Sequence, residues 1–372
     1  MKKNIAIIEN NIIATNTIRR KLTSALMEQG YNVVVLTTGK EAEIALARER
    51  GFNIIDVKSS NSNPLDILKY IRNIRRALKS FKPDVCLTFT IRPAIWGNMV
   101  TSGLNIPTIT NITGVGPLFE SKSIVYRAAR TLYKFVLRKT KKIFFQNTDD
   151  RDLFLNHRFI KEEVAGMVPG SGIDHEFFRP MKPEHQPDHF VFLFISRLVK
   201  DKGVLEYVEA ARIIRAEFPD VECRMLGPLW EQNLQSNIIT KNDISNWVKE
   251  GAINYLGEAI DVRPFIAEAD SVVLPSYREG TSNVLLEASS MEKPCITCDT
   301  TGCREIVSDG STGFLCKVAD AKDLALQMKK MIQLTAADRE RMGKMARQKV
   351  IREFDKQIVI DAYLKAIRKV TD

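Results

Sequence analysis

Short runs of β-branched and aromatic residues alternate with longer amphipathic stretches along this chain, and the alternation stops once and then restarts. Strand-like runs fall at 5–9, 33–37, 53–57, 84–90, 108–112, 143–146 and 164–168. Helical periodicity lies between them, so this half reads as repeated βα units on a parallel sheet, with a Rossmann-like strand count. Asn63-Pro64 before LDILKYIRNIRRALKSF offers an N-cap and a proline at the first helical position. Leu65, Leu68, Ile71, Ile74 and Leu78 make one face of that helix.

The stretch from Pro169 to His189 holds PGSG and RPMKPEHQPDH without periodicity and reads as a connection between domains. Strand-like runs then resume at 190–196, 221–227, 253–256, 271–275, 295–297 and 313–316. Residues 335–369 read as two consecutive helices outside this rhythm. A length of 372 residues also asks for more than one core, at about 150 residues per domain. The expected fold class is α/β, with two facing Rossmann-like domains and C-terminal helices crossing between them. Its parts are an N-terminal domain over 1–180, a C-terminal domain over 181–350, and a helix over 351–372 packing back on the first domain.

At 44% hydrophobic and 27% charged residues the chain is an ordinary globular composition, which excludes disorder, fibres and disulfide scaffolds. No run of about 18 uncharged apolar residues occurs, and Glu9 interrupts the N-terminal apolar run, so neither a membrane span nor a secretory signal is expected. Cys295, Cys298, Cys303 and Cys316 cluster, but no second C-x2-C follows and no histidine is near, so no metal is assigned. Charge is uneven. Residues 1–180 carry 28 Lys and Arg against 16 Asp and Glu, net +12, and the remainder carries 27 against 29, net −2. Such asymmetry points to an anionic partner of the first half, nucleic acid or an acidic membrane surface.

Ligands of open α/β sheets bind at the carboxyl ends of the strands, where helix N-termini favour anions. Two such loops stand out. In FISRLVKDKG, Arg197 follows a strand and Lys202 opens the next helix, so a planar fork and a mobile point charge can converge on a diphosphate. In isolation both are ordinary solvated loop charges. In LPSYREGTSNVLLEASSMEKP, Glu279 and Gly280 precede the helix opener Thr281-Ser282-Asn283, whose amides can hold a phosphate. Glu287 lies eight residues after Glu279 among Val284, Leu285, Leu286 and Ala288. It is an exposed helix-face glutamate, or a carboxylate that accepts from vicinal ribose hydroxyls.

The ordered set of Arg197 and Lys202, the E-x7-E from Glu279 to Glu287, the following KP, GCREIVSDGSTGFL and the GSGIDHEFFRP at the hinge resembles the family-4 retaining glycosyltransferases of the GT-B fold. The resemblance covers nearly the whole second domain. It implies a nucleotide-sugar donor, UDP by family prior. Arg197 and Lys202 would hold the diphosphate, Glu279 the donor sugar, the amides around Gly280, Thr281, Ser282 and Asn283 a phosphate, and Glu287 the ribose. The base would stack near Leu256 and Gly257. No metal or other cofactor is implied, because two cations replace it.

The first domain departs from the broad family, with Glu9-Asn10-Asn11 where many members have a glycine pair, and with no histidine before His157. TNITGVGPLF and FFQNTDD look like the subgroup that extends polyprenyl-diphosphate-linked sugars in bacterial surface-glycan and glycoprotein pathways. Asn11, Thr113, Gly114 and Gly116 are then acceptor-side candidates, the glycines permitting close backbone approach or simply forming a turn.

RNIRRALKSFK and YRAARTLYKFVLRKTKK are basic and amphipathic, with Tyr126, Tyr133, Phe135, Leu132, Val136 and Leu137 in the second, as for helices resting on anionic lipid or for solvated faces. No nucleic-acid fingerprint accompanies the charge. The expectation is a cytoplasmic enzyme, peripheral on the inner membrane face, that moves an N-acetylhexosamine or hexose from a UDP-sugar to a lipid-diphosphate-linked glycan with retention. A nucleotide-sugar 2-epimerase and a non-catalytic nucleotide-sugar-binding protein are the alternatives.

Overall fold

The computed structural model describes residues 2–58, 64–114, 124–185, 187–229 and 238–371. It divides into two compact units, Met1–Gly172 with Lys356–Asp372, and Ile173–Asp355. The chain therefore passes between units at 172/173 and 355/356, where the sequence placed the boundaries at 180 and 350. Ile173 and Asp355 form a parallel bridge and Ile173 N–H donates to the Phe354 carbonyl at 2.7 Å, so both crossings lie side by side.

Among the described residues the first unit has a seven-stranded parallel sheet. Its strands are β1 (Asn4–Ile8), β2 (Asn32–Thr37), β3 (Asn53–Asp56), β4 (Val85–Phe89), β5 (Thr108–Ile112), β6 (Lys142–Phe145) and β7 (Ala165–Met167), in the order β3-β2-β1-β4-β5-β6-β7. Both faces are covered, which explains near-continuous apolar strands. Successive residues go to opposite faces. Ile5 and Ile7 pack in one cluster with Tyr363 and Ile367, whereas Ala6 and Ile8 pack in another with Tyr70, Ile74 and Leu78.

The C-terminal helix Lys356–Thr371 belongs to this unit. Tyr363 packs at a tilt against Phe89 and Phe144 and accepts from Asn111 Nδ2 at 2.7 Å, and the buried Lys356 ammonium donates to the Ile18 and Ser171 carbonyls.

Helix Pro64–Phe81 buries Ile74 and Leu78 but leaves Leu65 and Leu68 exposed. Helix Ile124–Leu137 corrects the lipid-facing reading of its apolar side: Tyr133, Val136 and Leu137 are core residues, Leu132 packs against them, and Phe135 is exposed. The helix also ends before the basic run, so Arg138, Lys139 and Lys141 lie in the turn before β6.

The second unit has β8 (Val191–Ile195), β9 (Glu222–Leu226), β10 (Asn254–Tyr255), β11 (Ser271–Leu274), β12 (Cys295–Cys298) and β13 (Gly313–Cys316). All are parallel, in the order β10-β9-β8-β11-β12-β13. Both sheets thus reverse their strand order once, between β1 and β4 and between β8 and β11. These are the crevices where doubly wound sheets bind ligands.

Candidate functional site

The crevice of the second unit is built from loops that follow β8 and β11. After β8 the chain turns through Arg197 and a short 3-10 turn, Lys200–Lys202, to Gly203, which caps helix Val204–Glu217 at φ 73°. A side chain at Gly203 would put its Cβ 2.1 Å from the Pro275 carbonyl, so only glycine lets the two loops touch. Asp201 supplies the lacing: its carbonyl accepts from Tyr277 N–H at 2.9 Å and from Ser276 Oγ at 3.3 Å. The Tyr277 hydroxyl donates to Glu206 Oε1 at 2.7 Å, and burial with that carboxylate raises its pKa. Lys202 and Glu279 are thereby brought together, Lys202 Nζ to Glu279 Oε1 at 2.6 Å, both mostly buried. Arg197 is exposed at the same strand end.

A third loop, after β12, supports the second. Glu279 N–H donates to the Thr301 carbonyl and Ser282 N–H to the Gly302 carbonyl, each at 3.0 Å. Gly302 has φ 80°, and a Cβ there would lie 2.4 Å from the Glu279 carbonyl oxygen. Ser282 caps helix Asn283–Ser290, its hydroxyl accepting from Leu285 N–H at 3.4 Å, while Thr281 Oγ1 donates to the Gly280 carbonyl. Gly280 to Asn283 therefore form a helix N-terminus beside the Lys202–Glu279 pair. Glu287 is half-buried, one turn past Asn283 on that helix. On the other side of β8, Gly227 N–H donates to the Gly257 carbonyl at 2.7 Å and Leu256 N–H to Met225, so Leu256 and Gly257 lie at the same sheet edge.

In the first unit Asn11 follows β1 and caps the short helix Ile12–Asn16, accepting from Ile13 N–H at 2.7 Å. Thr113 and Gly114 follow β5 at the same edge, Gly114 at φ 139°. Gly116 lies outside the described residues. Glu9 directly follows β1, is 1% exposed, and has its pKa pushed up to about 7 by burial, against the opposing effect of Arg19. Arg19 Nε is 3.4 Å from Glu9 Oε1, and Arg19 also lies over the Phe89 ring and donates to Ser171 Oγ at 2.6 Å. Thr90, after β4, is a β-branched residue at φ 69°.

Two family models match this chain: Glycosyl transferase 4-like over 11–147 and Glycosyl transferases group 1 over 177–349. Across 370 residues, 95% of both chains, it is 24% identical to the N,N'-diacetylbacillosaminyl-diphospho-undecaprenol alpha-1,3-N-acetylgalactosaminyltransferase of Campylobacter jejuni. This chain is a family-4 glycosyltransferase of the GT-B fold. A second relative, the UDP-Gal:alpha-D-GlcNAc-diphosphoundecaprenol alpha-1,3-galactosyltransferase of Escherichia coli, is 25% identical over 68% of this chain and 67% of its own. Among solved structures, Anabaena HepE in complex with UDP and glucose superposes with a TM-score of 0.80 at 16% identity, covering 99% and 100% of the two chains, which speaks for the fold.

Within this glycosyltransferase the donor-side candidates named from sequence, Arg197, Lys202, Glu279 to Asn283, Glu287, Leu256 and Gly257, all fall at the carboxyl edge of one sheet. Sequence reasoning gave no role of their own to Tyr277 and Gly302, although both lie in quoted motifs, and passed over Glu206 and Gly227. Gly227 closes a strand as Gly203 opens a helix; its Cβ would lie 1.8 Å from the Ser196 carbonyl, and a glycine directly after an apolar strand was the available signal. No comparable signal marks the Tyr277–Glu206 bond.

Proposed function

We propose that this glycosyltransferase transfers a sugar from a UDP-sugar to a hydroxyl of a lipid-diphosphate-linked glycan with retention at the anomeric carbon, in bacterial surface-polysaccharide or glycoprotein assembly. The observation that carries it is the Lys202–Glu279 pair beside a helix N-terminus at the β8/β11 crevice. An ammonium beside the positive end of a helix dipole suits a diphosphate, and a carboxylate within reach of the same point suits sugar hydroxyls. Both relatives described above act, by name, on undecaprenyl-diphosphate-linked sugars, which supports the acceptor class.

In the reaction so read, the acceptor oxygen bonds to the anomeric carbon as the bond from that carbon to the diphosphate breaks. The electron pair leaves with the diphosphate, whose oxygen takes the hydroxyl proton on the same face of the sugar. The protein's task is then to stabilise charge on the leaving phosphate. Arg197 and Lys202 do so without a metal, an effect worth about 3 kcal/mol per well-placed donor. Glu279 orients the donor sugar, the amides of Gly280 to Asn283 hold a phosphate, Glu287 takes the ribose and Leu256-Gly257 flank the base. Asn11, Thr113 and Gly114 face the acceptor.

The first unit, with its net positive charge, rests on the anionic inner surface of the cell membrane, reached from the cytoplasm. Among the described residues no helix is long and apolar enough to cross a membrane. The decisive experiment offers a panel of UDP-sugars with a membrane extract and reads undecaprenyl-linked species by mass spectrometry. A mass increment of one sugar with the anomeric configuration of the donor is expected; release of free sugar or epimerised nucleotide without acceptor extension sinks the reading.

A further inference from the structure

The first unit carries a cavity of about 680 Å³ at the sheet edge opposite its acceptor-side loops, where the chain enters β5, β6 and β7. That volume lies within the range of small-molecule sites. Its inner wall is polar and rigid. Asn98 Nδ2 donates to Thr110 and Thr140 hydroxyls at 2.9 and 3.3 Å, and Thr108 donates to Thr101 at 2.8 Å. Its rim holds Arg138, Lys139, Lys141 and Lys161 against one carboxylate, Glu163.

None of these four cations has an ion pair or side-chain hydrogen bond among the described residues. Several arginines of the second unit do find carboxylates: Arg212 pairs with Glu209 and Glu250, Arg224 with Glu222 and Glu268, Arg263 with Asp261. Arg138 and Lys139 follow the carboxyl end of helix Ile124–Leu137, where the helix dipole favours cations. That explanation does not extend to Lys141 and Lys161, which enter β6 and precede β7. Four unpaired cations around one concave, hydroxyl-lined space define a place for a compact anion.

We infer that this cavity is a binding site for a phosphate group, carried by the head group of an anionic lipid or by a soluble phosphate ester. It is distinct from the acceptor-side residues, because the five residues of β5 separate Thr108 from Thr113 by roughly 16 Å. The inference rests in part on the membrane reading above, to which it gives a defined address.

Two variants test it. The cavity variant carries Arg138→Gln, Lys139→Gln, Lys141→Gln and Lys161→Gln; the control carries Lys69→Gln, Arg72→Gln, Arg76→Gln and Lys79→Gln on helix Pro64–Phe81. All eight side chains are exposed, so packing is undisturbed. Flotation with phosphatidylglycerol/phosphatidylcholine vesicles is compared with pure phosphatidylcholine, and inorganic phosphate is titrated separately by calorimetry. The expected result is loss of anionic-vesicle binding by at least about tenfold in the cavity variant and much less in the control, given ~1 kcal/mol per cation near such a surface. Loss of phosphate binding with unchanged vesicle binding assigns the site to a soluble ester instead. Equal losses in both variants overturn the site but leave a diffuse basic surface. No binding by the parent to either probe, or no loss in either variant, overturns the site; vesicle binding that resists both charge removal and salt overturns the electrostatic membrane reading as well.

Discussion

Lys202 and Glu279 are 77 residues apart in sequence and 2.6 Å apart in space, each mostly shielded from water. Glu279 holds the Lys202 ammonium in a charge-assisted bond, so a diphosphate binding at Lys202 must compete with that carboxylate. Removing one partner strands the other, so the two residues cannot be read as independent contributors.

Glu279→Ala releases Lys202 to the nucleotide. Calorimetry with UDP is expected to show unchanged or severalfold tighter binding, while sugar transfer falls by about a hundredfold. Lys202→Ala removes the cation from the developing charge and should lower kcat by a hundredfold or more. Glu287→Ala should weaken UDP instead. If Glu279→Ala weakens UDP as much as Glu287→Ala does, the division of roles is wrong.

Gly302 is held at φ 80° with its Cα facing the Glu279 carbonyl. Gly302→Ala adds a methyl group 2.4 Å from that oxygen and a left-handed alanine costing about 1 kcal/mol. The loop after β11 must shift, moving Glu279 away from Lys202. Transfer should fall at least tenfold while the first unit's circular dichroism and vesicle binding stay unchanged; full activity would show that Glu279 tolerates displacement.

Tyr277→Phe tests the lacing. It deletes the 2.7 Å bond to Glu206 and leaves that carboxylate's second oxygen, already unpartnered, in the same half-buried site. A loss of about 1 kcal/mol in stability and a several-fold lower kcat with unchanged UDP affinity are expected. A change in UDP affinity alone would place Tyr277 on the nucleotide instead.

These dependencies mark what a sequence can carry. Lys202 and Glu279 were legible because each lies in the loop that follows an apolar strand, and strand ends in a doubly wound sheet converge by topology. Tyr277 and Glu206 were not, because their bond depends on the depth of one helix against one loop. Tyr133 and Val136 read as a lipid-facing stripe, since periodicity fixes which residues share a face but not what that face meets. The cavity at the amino ends of β5 to β7 was hidden for the same reason: Lys161 joins Arg138, Lys139 and Lys141 only once β6 and β7 lie side by side.

Glu9 gives the pH dependence its sign. In the folded chain its pKa is pushed up to about 7 by burial against an ordinary value of 4.5, despite Arg19. The other titratable groups facing it are Tyr70, itself beside Arg92, and Tyr363. Between those two values the unfolded chain has lost the proton that the folded chain keeps, so the first unit loses stability as pH rises from 4.5 through 7 and levels off above. The total is roughly 3 kcal/mol, at 1.36 kcal/mol per pKa unit. Glu9→Gln mimics the protonated form at all pH values. Parent and variant should unfold alike near pH 4, and the variant should be the more stable by about that amount at pH 8. Urea unfolding can be followed through Trp96, the first unit's tryptophan, in a Trp230→Phe, Trp247→Phe background. A gap that is absent at pH 8, or that favours the parent there, would mean the Glu9 carboxylate is stabilised by Arg19 more than burial penalises it.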